Sequence, residues 1–441
     1  MSEFKKTLTT GHLVLFGLAY MTPIIVLGTF GVLAQITDGH VPGAYVLALV
    51  AMLFTAWSYS RMAKAFPVAG SAYMYVRNAI SENLGFLAGW SILLDYLFLP
   101  MVIWLIGAVY LNAAFPSVPQ YVWLLAFIAV TTFINIIGLK VASAINSLLM
   151  IVQLLVLAAF VVLAVHYIWG DATKPLWSLT PFMDNSEHLL SLLVAGAAVA
   201  CYSFLGFDAI TTLTEETIDA SRSIPRAIML ITLFGGIIFI GVSWCVQLAH
   251  PGAVFRNSDS AATEIAFNIG GDLFVTLFMF GLVFGQFASG IAAQASASRL
   301  IYTMGGDGVL PALLSKLGRF NTPTNAIVLC AVVALLALAM DVTTSTSFIN
   351  FGAFLAFTLV NLSVICHYYL RLRLRDIRST LLYLICPALG TLSTLWLLVS
   401  LDKTAIILGA VWLALGAARL VMLRRAQKQA LPALNFGGDA K

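Results

Sequence analysis

The chain has 441 residues, 61% of them hydrophobic and only 10% charged, with a net charge of +4 and a mean hydropathy of +0.98. A soluble domain needs far more polar surface, so the composition excludes a water-soluble globular protein and points to an all-α integral membrane protein of several spans. The basic residues lie in short loops between apolar runs, not in a stripe, which argues for a role in topology and against nucleic acid as a partner.

Runs of about 20 apolar residues, the length that crosses a bilayer, recur twelve times. Span 1 covers 12–36 and holds Met21, Thr22 and Pro23 at its middle. Proline removes a helical hydrogen bond and clashes with the preceding turn, so a break is expected there. Span 2 covers 42–66 and span 3 covers 84–112. Asp95 lies about twelve residues into span 3, near mid-depth. An ionised carboxylate there costs about 2.5–3.5 kcal/mol unless it faces water or a partner. No Lys or Arg lies inside a span core to pair with it. Spans 4 and 5 cover 120–138 and 145–168, the latter with Gln153. Span 6, over 189–214, carries Gly206 and Asp208 in the string SFLGFD. Lipid offers no partner for freed backbone groups or charge, so this stretch is expected to line a cavity. It runs on into Glu215, Glu216, Arg222 and Arg226, expected beyond the membrane as ion pairs that form and break with a gate, and Pro225 is expected at the start of span 7. Spans 7 to 12 cover 225–249, 272–304, 324–341, 346–370, 380–401 and 404–423.

With both termini placed in the cytosol, 20 of the 23 Lys and Arg residues fall inside, and only Lys174, Arg256 and Lys403 fall outside. This positive-inside bias supports an even number of spans with both ends cytosolic. Lys5 and Lys6 precede a first apolar run too long for a cleavable signal peptide. The interruptions in spans 1 and 6 stand at matching places in two five-span halves. They predict an inverted repeat, with 12–168 as the first unit and 189–370 as the second, and a site at the midplane. Helices 11 and 12 (380–423) then stand outside the repeat, with 1–11 and 424–441 as cytosolic tails.

Other chemistry finds little support. The five cysteines all lie in apolar runs without metal-ligand spacing, no phosphate-binding GxxxxGK[ST] loop occurs, and the six histidines are scattered. Neither an enzyme nor a bound cofactor or metal is expected.

Four strings carry a resemblance that covers nearly the whole chain: GLAYMTP in span 1; AWSYSRMAKAFPVAGSAYMYVRNAISENLGFLAGWSILLDYLF across spans 2 and 3; SFLGFDAITTLTEETIDASRSIPRAI in spans 6 and 7; and ASASRLIYTMGGDGVLPALLSKLGRFNTPTNAI after span 8. Together they resemble the amino acid, polyamine and organocation (APC) superfamily of transporters. DGHVP, GWSILLDYLFLPM and INFGAFLAFTLVNLSV are most similar to bacterial putrescine importers within it. The resemblance implies a LeuT-type fold of twelve helices with broken helices 1 and 6, in a bacterial cytoplasmic (inner) membrane. It also implies secondary active import of a small amine or amino acid by alternating access, coupled to a proton in preference to sodium.

By the same resemblance, the broken stretch Tyr20, Met21, Thr22, Pro23, Ile24 and Ile25 faces substrate with open backbone groups. Tyr202, Ser203, Phe204 and Gly206 form the matching break, with Tyr202 as an aromatic gate. Asp95 faces the chamber as the ligand for a substrate ammonium. Asp208 is expected to sense protons or to link the break to the cytosolic gate, or else to cap the next half-helix. Two departures limit the likeness. Gln153 stands where many proton-coupled relatives have a lysine, and Gly28 stands where putrescine importers have an acidic residue, so a substrate with one amine competes with a diamine. An amino acid/amine exchanger of the same fold and a membrane sensor without flux are the alternatives.

Overall fold

The computed structural model describes residues 6, 8–68, 70–137, 139–171, 177–184, 188–252, 254–320 and 322–427, with the side chains of 139–147, 215, 216, 426 and 427 outside that set. Among the described residues, 11 helices are long and apolar enough to cross a membrane. A twelfth apolar helix, Thr324–Ala339, fills the place of span 9. Its last five residues, Leu335–Ala339, form a 3-10 turn, which rises about 2.0 Å per residue against 1.5 Å in an α-helix, so the element still reaches about 26 Å.

Span 3 (Glu82–Ala114) is the central post, the most deeply buried of the spans. It starts at Ser81, whose hydroxyl accepts from the Leu84 N–H at 3.3 Å and so meets one orphan donor of the first turn. Spans 4 (Gln120–Ile137), 8 (Ala261–Gly306) and 10 (Val342–Val364) pack on it, and span 5 (Leu139–Gly170) packs on span 8. Span 7 (Ala220–Ala249) packs on span 2 (Val41–Ala65) and on the first helix of span 1, while span 2 also meets span 6. Spans 1, 2 and 7 also reach across to spans 8, 10, 11 and 5.

Span 12 (Lys403–Gln427) is clasped to span 3 by two tryptophans. The Trp90 indole N–H donates to the Trp412 carbonyl and the Trp412 indole N–H to the Trp90 carbonyl, each at 2.8 Å, with the rings stacked at 5.0 Å. Each pairing satisfies an indole N–H that hydrocarbon could not.

Within Ala261–Gly306, span 8 proper is preceded by a short helix from Ala261, from which the non-helical Gly271 (φ 67°, ψ −170°) separates it. Two stretches differ from the sequence reading. Span 7 starts at Ala220, so Pro225 sits inside the helix, not at its start. The stretch after span 2, expected as a loop, contains the helix Ser71–Ala79, which nine residues are too few to announce by periodicity.

Segments assigned to one side of the membrane meet at one end of the molecule. Leu8 and Thr217 form an isolated parallel bridge, the Ile218 N–H donates to the Leu8 carbonyl at 2.9 Å, and Arg371 donates to the Asn78 carbonyl at 3.2 Å. The first of these contacts ties the start of span 1 to the end of span 6.

At the same end Arg77 pairs with Glu82 at 3.5 Å and donates to the Tyr73 hydroxyl at 3.4 Å. Asp307, just past span 8, lies within the field of Arg77, yet its Oδ2 is buried with no hydrogen-bond partner. Burial pushes the Asp307 carboxyl up to about 6, against the opposing pull of Arg77. A carboxyl raised on folding gives its full stability below its unfolded value near 3.9 and loses it as pH rises through about 6. Asp307→Asn is therefore expected to raise Tm at pH 8 by about 1 °C, the carboxyl being partly screened by solvent, and to flatten the decline between pH 4 and 6. Thermal unfolding of both proteins across that range checks it, and parallel profiles would refute it.

Candidate substrate site

The first helix of span 1, Thr10–Met21, stops at Thr22, which takes the left-handed conformation (φ 49°, ψ 83°) before Pro23 and Ile24, and the chain resumes as Ile25–Gly28. Pro23 has no N–H to give and bars helical backbone in the residue before it, which places the break here. The freed carbonyls find donors from other spans. Ser289 of span 8 donates to the Tyr20 carbonyl at 2.7 Å, and the Tyr110 hydroxyl of span 3 donates to the Leu27 carbonyl at 3.1 Å. The Thr22 hydroxyl donates to the Ala19 carbonyl at 3.2 Å.

Span 6 breaks in register with it. Helix Leu189–Ala200 tightens into the 3-10 turn Cys201–Phe204, Leu205 is extended, and Gly206 has φ of 110° before the 3-10 helix Ala209–Glu216. This φ is open to glycine and strained for other residues. A Cβ at Gly206 would fall on the Tyr20 ring, so the two breaks meet at this point.

Between them lies a small cavity. Span 1 lines it with Tyr20, Met21, Thr22 and Ile25, span 6 with Tyr202 and Leu205, span 3 with Leu99 and Ile103, and span 8 with Gln286 and Ser289. About 10 Å³ is open to the centre of a water molecule, room for about one water and not for an organic solute. The site is therefore occluded.

Asp95 lies one helical turn from Leu99 and two from Ile103 on the same face of span 3, and its side chain is buried. Its Oδ1 has no hydrogen-bond partner. Asp208 is buried and close enough to interact with Asp95 electrostatically. The two carboxylates differ in how they are held. Asp208 Oδ2 accepts from the Ser71 hydroxyl at 3.3 Å and the Tyr96 hydroxyl at 3.1 Å, which joins span 6 to span 3 and to the helix Ser71–Ala79. Although Asp208 occupies the cap position of the following turn, its side chain does not cap it. Among the described residues no ion pair reaches either carboxylate. Two buried carboxylates that feel one another's charge favour a cation or a proton beside them.

The remaining expected residues divide by position. Gln153 is buried beside the span 1 break, its Nε2 3.0 Å from Met150 Sδ and its Oε1 without a partner. Gly285 leaves the space in which Gln153, Thr22 and Ile24 converge, since a Cβ there would meet the Gln153 amide oxygen and Ile24 at 2.8 Å. Ser203 exchanges a hydrogen bond with the Tyr45 hydroxyl at 3.0 Å. Phe204 packs edge-on against Phe239 at 5.1 Å, in the core and outside the cavity lining. Pro23 and Ile24 are buried in the break but do not line the cavity. The side chains of Glu215 and Glu216 lie outside the described residues. Arg222 is exposed, 3.7 Å from Asp219, and outside the cavity lining.

Sequence reasoning missed Gln286, both of whose side-chain amide atoms are buried without partners, together with Ser289, Ser71 and Tyr96. Gln286 had a signal, a polar amide in the apolar string VFGQFASG. Leu99 and Ile103 were readable from the four-residue spacing to Asp95.

A family model described as amino acid permease matches residues 12–421. The low-affinity putrescine importer PlaP of Escherichia coli strain K12 is 39% identical over 437 residues, covering 98% of this chain and 96% of that protein. The branched-chain amino acid permease BcaP of Bacillus subtilis strain 168 is 27% identical over 444 residues, covering 94% of this chain and 92% of its own. A methylthioribose transporter from the same organism is 25% identical over 396 residues, with 85% and 83% covered.

Proposed function

The chain belongs to the amino acid permease family of the APC superfamily, and from that footing we propose that it is a secondary active importer of a small organic amine, putrescine-like in character, working by alternating access. The observation that carries the reading is Asp95, a buried carboxylate with an unpartnered oxygen one turn from an occluded chamber at two helix breaks. A carboxylate in this position favours an ammonium group, and its neighbour Asp208 disfavours a substrate bearing its own carboxylate. An amine therefore fits better than a zwitterionic amino acid. The likeness to a protein named as a putrescine importer supports the same class.

Asp95 binds the ammonium, the broken segments at Tyr20–Ile25 and Tyr202–Gly206 wrap it, and Tyr202 closes over it. Asp208, held by Ser71 and Tyr96, links the filled site to the inner end. Spans 1, 2, 6 and 7 rock as a bundle against spans 3, 4, 8 and 9, the two inverted repeats being 12–168 and 189–370, with 380–423 outside them. The bridge from Leu8 to Thr217 makes both broken spans move together. The protein is a multi-pass membrane protein; both termini, including 1–11 and 424–441, are proposed to be cytosolic in a bacterial inner membrane. A proton is the proposed coupling ion, and Asp208 its carrier, since Gln153 cannot supply a fixed charge in span 5. The exchanger reading keeps the same site and requires an internal counter-substrate.

Competition uptake into proteoliposomes tests this. Putrescine and cadaverine are expected to compete best, monoamines next, and neutral amino acids least. Collapse of an imposed proton gradient is expected to stop accumulation. Inhibition by leucine or another neutral amino acid stronger than by any amine would overturn the substrate class, and uptake that needs internal amine but no gradient would favour the exchanger.

A further inference from the structure

At the cation-rich end of the molecule a groove opens between the last turns of span 2 and the first turns of span 7. Arg61 and Lys64 stand on one wall, Arg222 and Arg226 on the other, and Trp57 and Met229 lie between them. Its volume is about 660 Å³, a size that accepts a substantial polar group. Among the described residues no carboxylate lines it, and Arg222 alone of the four has an ion pair, an exposed one at 3.7 Å to Asp219. The Arg61 guanidinium lies 3.8 Å over the Trp57 ring, and its Nε is buried with no acceptor among the described residues. An adjoining depression shares Trp57 and Arg61 and adds Arg378 from the start of span 11. Five positive charges thus converge where helices enter the membrane.

The apolar surface beyond the charges identifies the ligand. From Arg226, steps of three and four residues lead through Leu230 to Leu233 and Ile237, with Phe234 beside them, and these three are 39%, 55% and 44% exposed in that order. From Trp57 the lipid-side face of span 2 continues to Val50 and Val46, which are 46% and 39% exposed. Both tracks run away from the charged end along the packed pair of spans 2 and 7. A soluble anion would use the cations and leave the tracks bare, whereas an amphiphile matches both halves. Basic clefts between helices at the cytosolic surface suit anionic head groups, each nearby cation contributing about a fivefold gain in binding.

We propose that this groove binds an anionic phospholipid of the leaflet it faces, with the phosphate held by Arg61, Lys64 and Arg226 and the acyl chains lying along Val50, Leu233 and Ile237. The proposal depends on the chain's membrane placement and not on its substrate. Both walls belong to the bundle proposed to rock, so occupancy of the groove bears on transport.

The experiment compares delipidated full-length protein in neutral detergent with phosphatidylglycerol, phosphatidylcholine and inorganic phosphate, read by native mass spectrometry and by Tm. Phosphatidylglycerol is expected to stay bound and raise Tm, and the other two are not. The double substitution Lys64→Gln and Arg226→Gln is expected to weaken phosphatidylglycerol binding about 25-fold, about fivefold per charge. Both residues are exposed, and each single variant, with an expected fivefold loss, carries the test if the double one is not recovered folded. Equal retention by wild type and variants overturns the proposal. So does a phosphate effect as large as that of phosphatidylglycerol, which would mark a site for soluble anions, or phosphatidylcholine binding as tightly, which would mark tail contact alone.

Discussion

Asp95→Asn is expected to leave a folded, membrane-inserted protein that no longer accumulates a cationic amine. The substitution keeps the size of the side chain, removes its charge and turns one acceptor oxygen into an N–H donor. Losing one partner of a buried ion pair costs about 3–5 kcal/mol, so uptake at subsaturating amine should fall by about two to four orders of magnitude. The empty protein should be no less stable, because a buried carboxylate with an unpartnered oxygen is itself a cost that the amide lowers. Labelled putrescine uptake in proteoliposomes, with Tm as the control for folding, decides the matter. Uptake above one tenth of wild type would remove Asp95 from the site. Asp208 makes a useful contrast, since Ser71 and Tyr96 already hold it. Its amide variant should alter dependence on the proton gradient more than amine affinity.

Gly206→Ala should stop transport for a different reason. At φ of 110° an alanine is strained by about 1–3 kcal/mol, and its methyl group would also occupy the place of the Tyr20 ring. Tyr20 must then leave the meeting point of the two breaks. Gly252 supplies the matched control, for it has φ of 105° but no atom within 4 Å of the point where a methyl group would stand. Gly252→Ala carries the strain of a similar positive φ without the collision and should keep most of its uptake. Equal activity of the two variants would show that contact between the breaks is dispensable.

The span count and the two breaks were legible because they follow from one-dimensional facts: apolar run length, a proline at Pro23 and a glycine at Gly206 inside such runs. Asp95 was legible because a lone carboxylate in hydrocarbon is rare enough to demand a reason. Its setting was not. Ser71 and Tyr96 reach Asp208 from 137 and 112 residues away, and no local pattern encodes a contact of that range. Gln286 is neutral, so it gives no charge signal, and the helix Ser71–Ala79 is too short for its periodicity to register. Arg61 and Lys64 were read only as markers of sidedness and Arg226 only as part of a gating ion pair, since their convergence needs spans 2 and 7 to lie side by side.

The tightness of the chamber has a thermodynamic corollary. With about 10 Å³ free, no solute enters without first prising the walls apart, so every measured dissociation constant contains the work of that opening. Apparent affinity is the intrinsic value diminished by the fraction of molecules already ajar. A substitution that merely loosens the lining, such as a smaller residue at Leu99 or Ile103, can then register as tighter capture while contributing no new attraction, and titrations alone would mistake slack for recognition.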